Sequence, residues 1–581
     1  MPIAHHPTAP YRREMESERH TDFAVHLRGG RSQFIWQDQV VWGSRPLETW
    51  LQALADHAVN RPDKIALDFE GETVTFAALE ADSNRMANAL AGLGVDKGDT
   101  VVVLLDNSYD QVLTLAAVNK LGAIWVPVNT VYCGEFLRHQ LADAGAKLAI
   151  CEDECLANLF AVANEVPRLS QVAVRGWLGA EQAGLEVRPL DALRGTDASP
   201  PKVRVDPADI ACLIYTSGTT GPSKGCMMSH NYLCANGRRR NVSVPPQPGG
   251  VTWSCLPLFH IAALGTVLLA NLLAGETTSI ARRFSVSGFW DEIDRSGARS
   301  IVLLASMLPL VAQAPDDPVM ARCKGQLKVV TGVPLTAPDR QIWQERFGVE
   351  VMNSFAYGQT EANLCTLLPW GVPPPGLGSM GPPSEDFDMM VVDDAGNPVP
   401  IGEPGELVLR PRQPLTMFSG YWNRPADTLA AMDGLWWHTG DMARFDDQGF
   451  LYFVDRKKDY LRSRGENISS FEVEAAMMKH EDVAEVAFHA VAVTAGGEEA
   501  IKASVVRRAG ADMTERQLFD WAMKAMPYFA VPRFIEFRKE LPKTPTGKVQ
   551  KQDLRAEGVT PATWDCEGEG LVIRRNRGKA A

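Results

Sequence analysis

Tyr215-Thr-Ser-Gly-Thr-Thr-Gly-Pro-Ser-Lys-Gly225 follows the apolar segment Ile210 to Ile214, and the rest of the chain is read outward from it. Gly218, Gly221 and Gly225 let the main chain take positive φ and approach a ligand closely. Backbone N–H groups and the hydroxyls of Thr216, Ser217, Thr219 and Thr220 can then converge on anionic oxygens. Lys224 adds a mobile positive charge, so the stretch reads as a polyphosphate cradle. It is not a Walker A loop, which needs Gly-Lys followed by Ser or Thr; Lys224 is preceded by Ser223 and followed by Gly225. A flexible Ser/Thr/Gly linker is the plain alternative. The embedded Pro-Ser-Lys-Gly between a buried-type strand and an apolar continuation argues against that.

The surrounding chain has room for more than one core: 581 residues, 45% hydrophobic and 22% charged. A net charge of −13 makes nucleic acid or an anionic membrane a poor general partner, and any anionic ligand must meet a local positive site. The ten cysteines contain no Cys-x-x-Cys pair and no zinc spacing, which points to a reducing cytoplasm. Met1-Pro-Ile-Ala-His-His-Pro carries no secretory pattern. Ile261 to Gly275, the most apolar stretch, is interrupted by Asn271 and falls short of the roughly 20 residues a bilayer span needs. It is expected to be a buried helix.

Residues 1 to about 44 are mixed polar and charged, and a loosely packed arm is the default reading. From Leu47 a helix, a hairpin around Glu70-Gly71-Glu72, and Leu79, Met86, Leu90 and Leu93 at helical spacing are expected. Strands at Val101 to Leu105, Ala123 to Val128 and Lys147 to Cys151 alternate with helices through Val112 to Lys120 and Phe136 to Ala144. Uninterrupted apolar strands in such an alternation predict a parallel sheet covered on both faces. The phosphate loop would then lie past the carboxyl end of a strand, where such folds hold ligands.

Further stretches carry chemistry. Asn353-Ser-Phe-Ala-Tyr-Gly-Gln-Thr-Glu361 places an aromatic ring, Gly358, a hydroxyl and a carboxylate within five residues, a set suited to a base, a phosphate and a hard cation. Magnesium takes oxygen ligands and keeps waters while bridging phosphates, so one carboxylate is enough. Trp436-Trp-His-Thr-Gly-Asp441 leads to Asp455-Arg-Lys-Lys-Asp459, and a buried Asp at a turn can accept both hydroxyls of a ribose. Leu541-Pro-Lys-Thr-Pro-Thr-Gly-Lys548 puts a lysine on a glycine-containing loop, able to swing in as a point charge. Lys543 and Lys551 read as solvated neighbours. Arg238-Arg-Arg240 is either a solvated face or a site for a phosphate.

In this order and spacing, over about residues 46 to 556, the chain resembles the adenylate-forming enzymes: acyl-CoA synthetases, peptide-synthetase adenylation domains and firefly luciferases. The resemblance implies an α/β fold with a large multi-sheet N-terminal domain and a small mobile C-terminal domain of mixed α+β character. The expected boundaries are an arm at 1–45, an AMP-binding domain at 46–457, a lid domain at 458–558 beyond a hinge at Lys458, and a tail at 559–581. It further implies Tyr357 on adenine, Gly358 and Thr360 at the α-phosphate, Glu361 and Thr216 at Mg²⁺, Asp441 and Arg456 on ribose, and Lys548 as the C-terminal catalytic lysine. Phe259 and His260, in Cys255-Leu-Pro-Leu-Phe-His260, would border the acyl pocket with Trp253, Met307, Gly332, Val333 and Ala356. Relatives usually carry Gly-Gly or Gly-Ala where this chain has Gly332-Val333, a departure that narrows the pocket.

Near Gly465, where relatives line the pantetheine tunnel with Gly-Gly before Glu-Asn, Arg464 replaces the first glycine. The stretch from Arg464 to Glu474 looks most like the crotonobetaine/carnitine-CoA ligase branch. The implied function is an ATP-dependent acyl-CoA synthetase using ATP, Mg²⁺ and CoA, in a possible homodimer. The competing readings are a ligase that loads a carrier protein, a nucleotide-binding homologue without turnover, and a luciferase-like oxidoreductase.

Overall fold

The computed structural model describes residues 22–37, 43–177, 184–216, 222–247, 249–304, 307–332, 337–353, 356–373, 378–456, 461–463, 466–468, 470–493, 499–543 and 551–574, together with 179, 375, 376 and 549. Thr100–Leu104 is buried at every position, and the run of valines that predicts a two-faced strand sits at the centre of a seven-stranded sheet. Its parallel neighbours are Ile124–Pro127 and Leu148–Glu152; Ile210–Thr216 joins in parallel beyond Ile124–Pro127. Ser108 caps the helix Tyr109–Lys120 by accepting the Gln111 N–H, and Gly145 closes Gly134–Ala144 at φ 66°.

The glycine- and threonine-rich stretch does not lead from a strand straight into a helix. Lys224–Ser229 returns antiparallel to Ile210–Thr216, with Thr216 opposite Lys224, and forms the edge of the sheet. The helix, His230–Ser243, begins only after that second strand.

A second seven-stranded sheet runs Val351–Asn353, Val329–Thr331, Ser300–Val302, Val251–Ser254, Thr277–Ile280, Ile65–Phe69, Glu72–Thr75. All neighbours are parallel except the last hairpin, which is the one expected around Gly71. Residues 261–274 form the expected buried helix, with a π-helical turn over Leu264–Leu269. Among the described residues no helix is long and apolar enough to cross a membrane.

The third sheet corrects the expectation of a loose N-terminal arm. Arg31–Phe34 pairs antiparallel with Phe387–Val392, and Phe34 is fully buried beside Phe445. Burying two aromatic side chains, Phe23 and Phe34, outweighs the polar look of their neighbours. The run Arg238-Arg-Arg240 is likewise neither a solvated face nor a phosphate site. Arg239, 4% exposed, pairs with Asp386 at 2.7 Å and donates to the carbonyls of Asn363 and Thr416. Arg240 is buried against the Val244 carbonyl and Ser300, and Arg238 pairs with Glu48.

Toward the C-terminus, Val483–Ala492, Glu499–Arg507, Phe534–Arg538 and Trp564–Asp565 make a four-stranded sheet, so residues expected as tail contribute its edge strand. Its core also takes in Phe136 of the helix Gly134–Ala144, and Lys479 pairs with Glu135 at 2.7 Å. The C-terminal part therefore rests on the helix that, from its other residues, holds the two ends of the segment 217–221.

Candidate active site

Those two ends are held by Gly134–Ala144. Before the loop, the Tyr215 hydroxyl donates to Asp143 at 2.8 Å; after it, His139 Nε2 lies 2.8 Å from the Ser223 carbonyl and Gln140 donates to the Ser223 hydroxyl. Ser217, Gly218, Thr219, Thr220 and Gly221 lie outside the described residues. Thr216 is described, with its hydroxyl 3.8 Å from the Cys226 sulfur. Gly225 has no positive φ; it is a glycine for room, since a Cβ there would come within 3.2 Å of the Tyr215 ring and 3.4 Å of Trp422 Cβ.

The second motif folds into a tight turn. Gly358 has no alternative, because a Cβ would stand 2.5 Å from the Leu364 nitrogen. The Tyr357 hydroxyl donates to Asp441 at 2.5 Å, and the Gln359 amide donates to Asp441 at 2.8 Å and to the Thr439 carbonyl at 2.7 Å. Asp441, 2% exposed, stands opposite Arg456 in the pairing of Trp436–Phe445 with Leu451–Arg456. Burial, then the Asp441 charge, pushes the Tyr357 phenol well above its usual range, so it stays a donor. Thr360 is anchored through its carbonyl, which accepts from the Tyr232 hydroxyl at 2.8 Å.

Glu361 is 8% exposed and makes no ion pair among the described residues; the Tyr421 hydroxyl donates to it at 2.6 Å, and the Cys226 thiol lies against it. A buried carboxylate without a cationic side chain fits a hard cation, which would compensate its desolvation. Among the described residues no group of three or more His, Cys, Asp and Glu could hold a metal. A magnesium ion here would therefore rest on Glu361 together with phosphate oxygens of a nucleotide.

Around the expected acyl pocket, His260 is exposed and its ring lies 4.7 Å from that of Phe259, so it is not a packed core histidine. Met307 touches Cys255 through sulfur at 3.9 Å. At Gly332 a Cβ would come within 2.8 Å of a terminal methyl of Leu308, which would have to shift. Ala356 opens the short strand before Tyr357. Trp253, by contrast, is 2% exposed and packs edge-on against Phe289 in the core behind the second sheet, so it shapes that wall from behind. Val333, Lys458, Arg464, Gly465 and Lys548 lie outside the described residues, as do 575–581 of the basic tail. On either side of Lys548, Lys543 forms a bridge with Val549. Lys543 pairs with Glu485 and Lys551 with Glu474, so neither is the freely solvated lysine expected.

Asn107 escaped the sequence reading. It is 6% exposed, donates to the carbonyls of Leu256 at 3.0 Å and Ala281 at 3.2 Å, and accepts from the Leu258 N–H at 3.0 Å. One side chain past the end of Thr100–Leu104 thus pins the segment of the other sheet that leads into Phe259. Its only sequence signal is a polar residue shortly after an apolar strand, which is too common to single out.

The model of the AMP-binding enzyme family matches residues 54–422, and that of the AMP-binding enzyme C-terminal domain matches residues 472–548. A long-chain-fatty-acid–CoA ligase of Escherichia coli O6:H1 is 31% identical over 516 residues, covering 84% of this chain and 90% of that one. A crotonobetaine/carnitine–CoA ligase of Salmonella choleraesuis is 28% identical over 508 residues, covering 85% and 96%. The solved structure of o-succinylbenzoate CoA synthetase from Bacillus subtilis, a double mutant with a product analogue bound, superposes with a TM-score of 0.74 at 26% identity, covering 87% of this chain and 98% of that one.

Proposed function

From the premise that this chain belongs to the AMP-binding enzymes and is a carboxylate–CoA ligase using ATP and CoA, we propose that it works through an acyl-adenylate. In the first half-reaction a carboxylate oxygen of the acid bonds to the α-phosphorus of ATP, and the bond to pyrophosphate breaks. In the second, the CoA sulfur bonds to the acyl carbon, the bond to AMP breaks, and the thiol proton passes to solvent. No protein nucleophile is required; the chain positions the reactants and stabilises charge.

The observation that carries this reading is that one turn, 357–361, presents both Tyr357, bonded to Asp441, and Glu361, a buried carboxylate that makes no ion pair among the described residues. Tyr357 and Asp441 would hold the adenosine with Arg456, while Gly358, Thr360, Lys224 and the 216–221 loop face the phosphates. A magnesium ion on Glu361, with Thr216 beside it, would supply charge neutralisation of the phosphates when bound. Lys548 is assigned to the first half-reaction and Gly465 to the second, with residues 458–558 turning about Lys458 between them.

Phe259, His260, Met307, Gly332, Val333 and Ala356 would border the acyl group. Asn107→Ala, by freeing the segment before Phe259, is expected to raise the KM for the acid about tenfold, the share of the one to three kcal/mol of a buried unpaired group. The KM for ATP should hold within twofold. Equal rises in both constants, measured by steady-state kinetics, would instead mean a general loss of structure.

The reading as a whole is tested by pyrophosphate release from Mg·ATP across short-chain, long-chain, branched and aromatic carboxylic acids, with and without CoA. One acid class giving pyrophosphate and a CoA thioester in equal amounts is the expected result. Pyrophosphate that free CoA never accelerates would transfer the second half-reaction to another acceptor, such as a carrier protein.

A further inference from the structure

Tyr421 belongs to none of the motifs that mark the site, yet it touches two of them. Its hydroxyl donates to Oε1 of Glu361 at 2.6 Å, and its ring lies 5.0 Å from the Lys224 ammonium, which also sits 3.3 Å from Asp427. The side chain is 9% exposed, with Phe418 5.1 Å and Trp437 6.0 Å from its ring.

The backbone around it is equally fixed. Ser419 donates to the Met227 carbonyl at 2.8 Å, Met227 to Gly420 at 3.0 Å, and Trp422 to Gly225 at 2.8 Å, with Cys226 and Tyr421 forming a bridge. Phe418 donates from its N–H to the Glu361 carbonyl at 2.9 Å. Residues 418–422 are thus a strap bonded along the first strand after the phosphate loop and, at one end, to the carboxylate residue itself.

We propose that Tyr421 is a positioning residue for the divalent cation: by holding one oxygen of Glu361 it fixes the plane of the carboxylate and leaves the remaining lone pairs directed at the ion. A carboxylate free to rotate would lose that orientation each time the ion left. The same ring supports the ammonium of Lys224, so the cation's carboxylate and the phosphate loop's lysine are registered to one rigid side chain. Partners of this kind, bonded to a ligand and not to the ion, typically change metal affinity about 10–100-fold when removed. The inference rests on the reading of Glu361 as the ligand.

Tyr421→Phe deletes one oxygen and keeps the ring under Lys224, so it isolates the bond to Glu361. Mn²⁺ would be titrated, with detection by electron paramagnetic resonance, into full-length enzyme saturated with α,β-methylene-ATP. The parent, Tyr421→Phe, Glu361→Gln and the double variant form a cycle. Mn²⁺ affinity is expected to fall about tenfold in Tyr421→Phe, at least as far in Glu361→Gln, and no further in the double variant. Binding of the analogue in EDTA should stay within twofold, and the thermal midpoint should report whether each variant is folded. Parent-like Mn²⁺ affinity in folded Tyr421→Phe, or a full tenfold loss repeated on the Glu361→Gln background, overturns the positioning role while leaving Glu361 as ligand. Parent-like affinity in Glu361→Gln overturns the ligand assignment itself, and the proposal with it.

Discussion

Lys548→Ala enzyme is expected to form acyl-adenylate about 10²–10³-fold more slowly than the parent, the loss seen when one preorganised group facing developing charge is removed. As carboxylate attacks the α-phosphorus, negative charge accumulates where two anions meet, and a mobile ammonium is the group able to meet it. The neighbouring lysines do not stand in: Lys543 and Lys551 are engaged with Glu485 and Glu474 on the C-terminal part itself. The defect should be confined to the first half-reaction. Supplied with synthetic acyl-adenylate and CoA, Lys548→Ala should make thioester within about threefold of the parent rate, since the bond that breaks in that step is at the acyl carbon and no anion attacks phosphorus. Stopped-flow measurement of both half-reactions separates the cases, and equal losses in the two would remove the lysine from its assigned role.

Asp441→Ala is expected to raise the KM for ATP about 100-fold. On the proposed assignment two hydrogen bonds from ribose hydroxyls to the carboxylate would be lost together, and at the lower end of about 1.5–3 kcal/mol each they account for that factor. The Tyr357 hydroxyl and the Gln359 amide, which donate to the same carboxylate at 2.5 and 2.8 Å, are also left without it. Tyr357→Phe removes one of those donors and keeps the carboxylate, so a smaller rise, about fivefold, is expected from one net hydrogen bond of about 1 kcal/mol. The acid KM at saturating ATP should change little in either. Isothermal titration of ATP distinguishes this from a folding defect: an Asp441→Ala protein that binds ATP like the parent would mean that the ribose lies elsewhere.

Much of this was legible in the sequence because the informative residues are contiguous. The valines of Thr100–Leu104 announce a strand buried on both faces whatever surrounds them. Tyr357, Gly358, Thr360 and Glu361 belong to one turn, so their chemistry can be read as a unit. Local hydrophobic period also sets the alternation of strands and helices in the sheet around Thr100–Leu104. It failed where burial is decided at long range: Phe34 packs against Phe445, and Arg239 against Asp386.

What only the tertiary structure decided is which distant residues share a contact. That Asn107 of one sheet pins the segment before Phe259 in the other, and that Tyr421 joins Glu361 to Lys224, are consequences of packing. No local signal marks them. An asparagine after a strand or a tyrosine in a loop has the same sequence appearance whether it meets water or a buried carboxylate, and only the folded chain brings the partner within hydrogen-bonding distance.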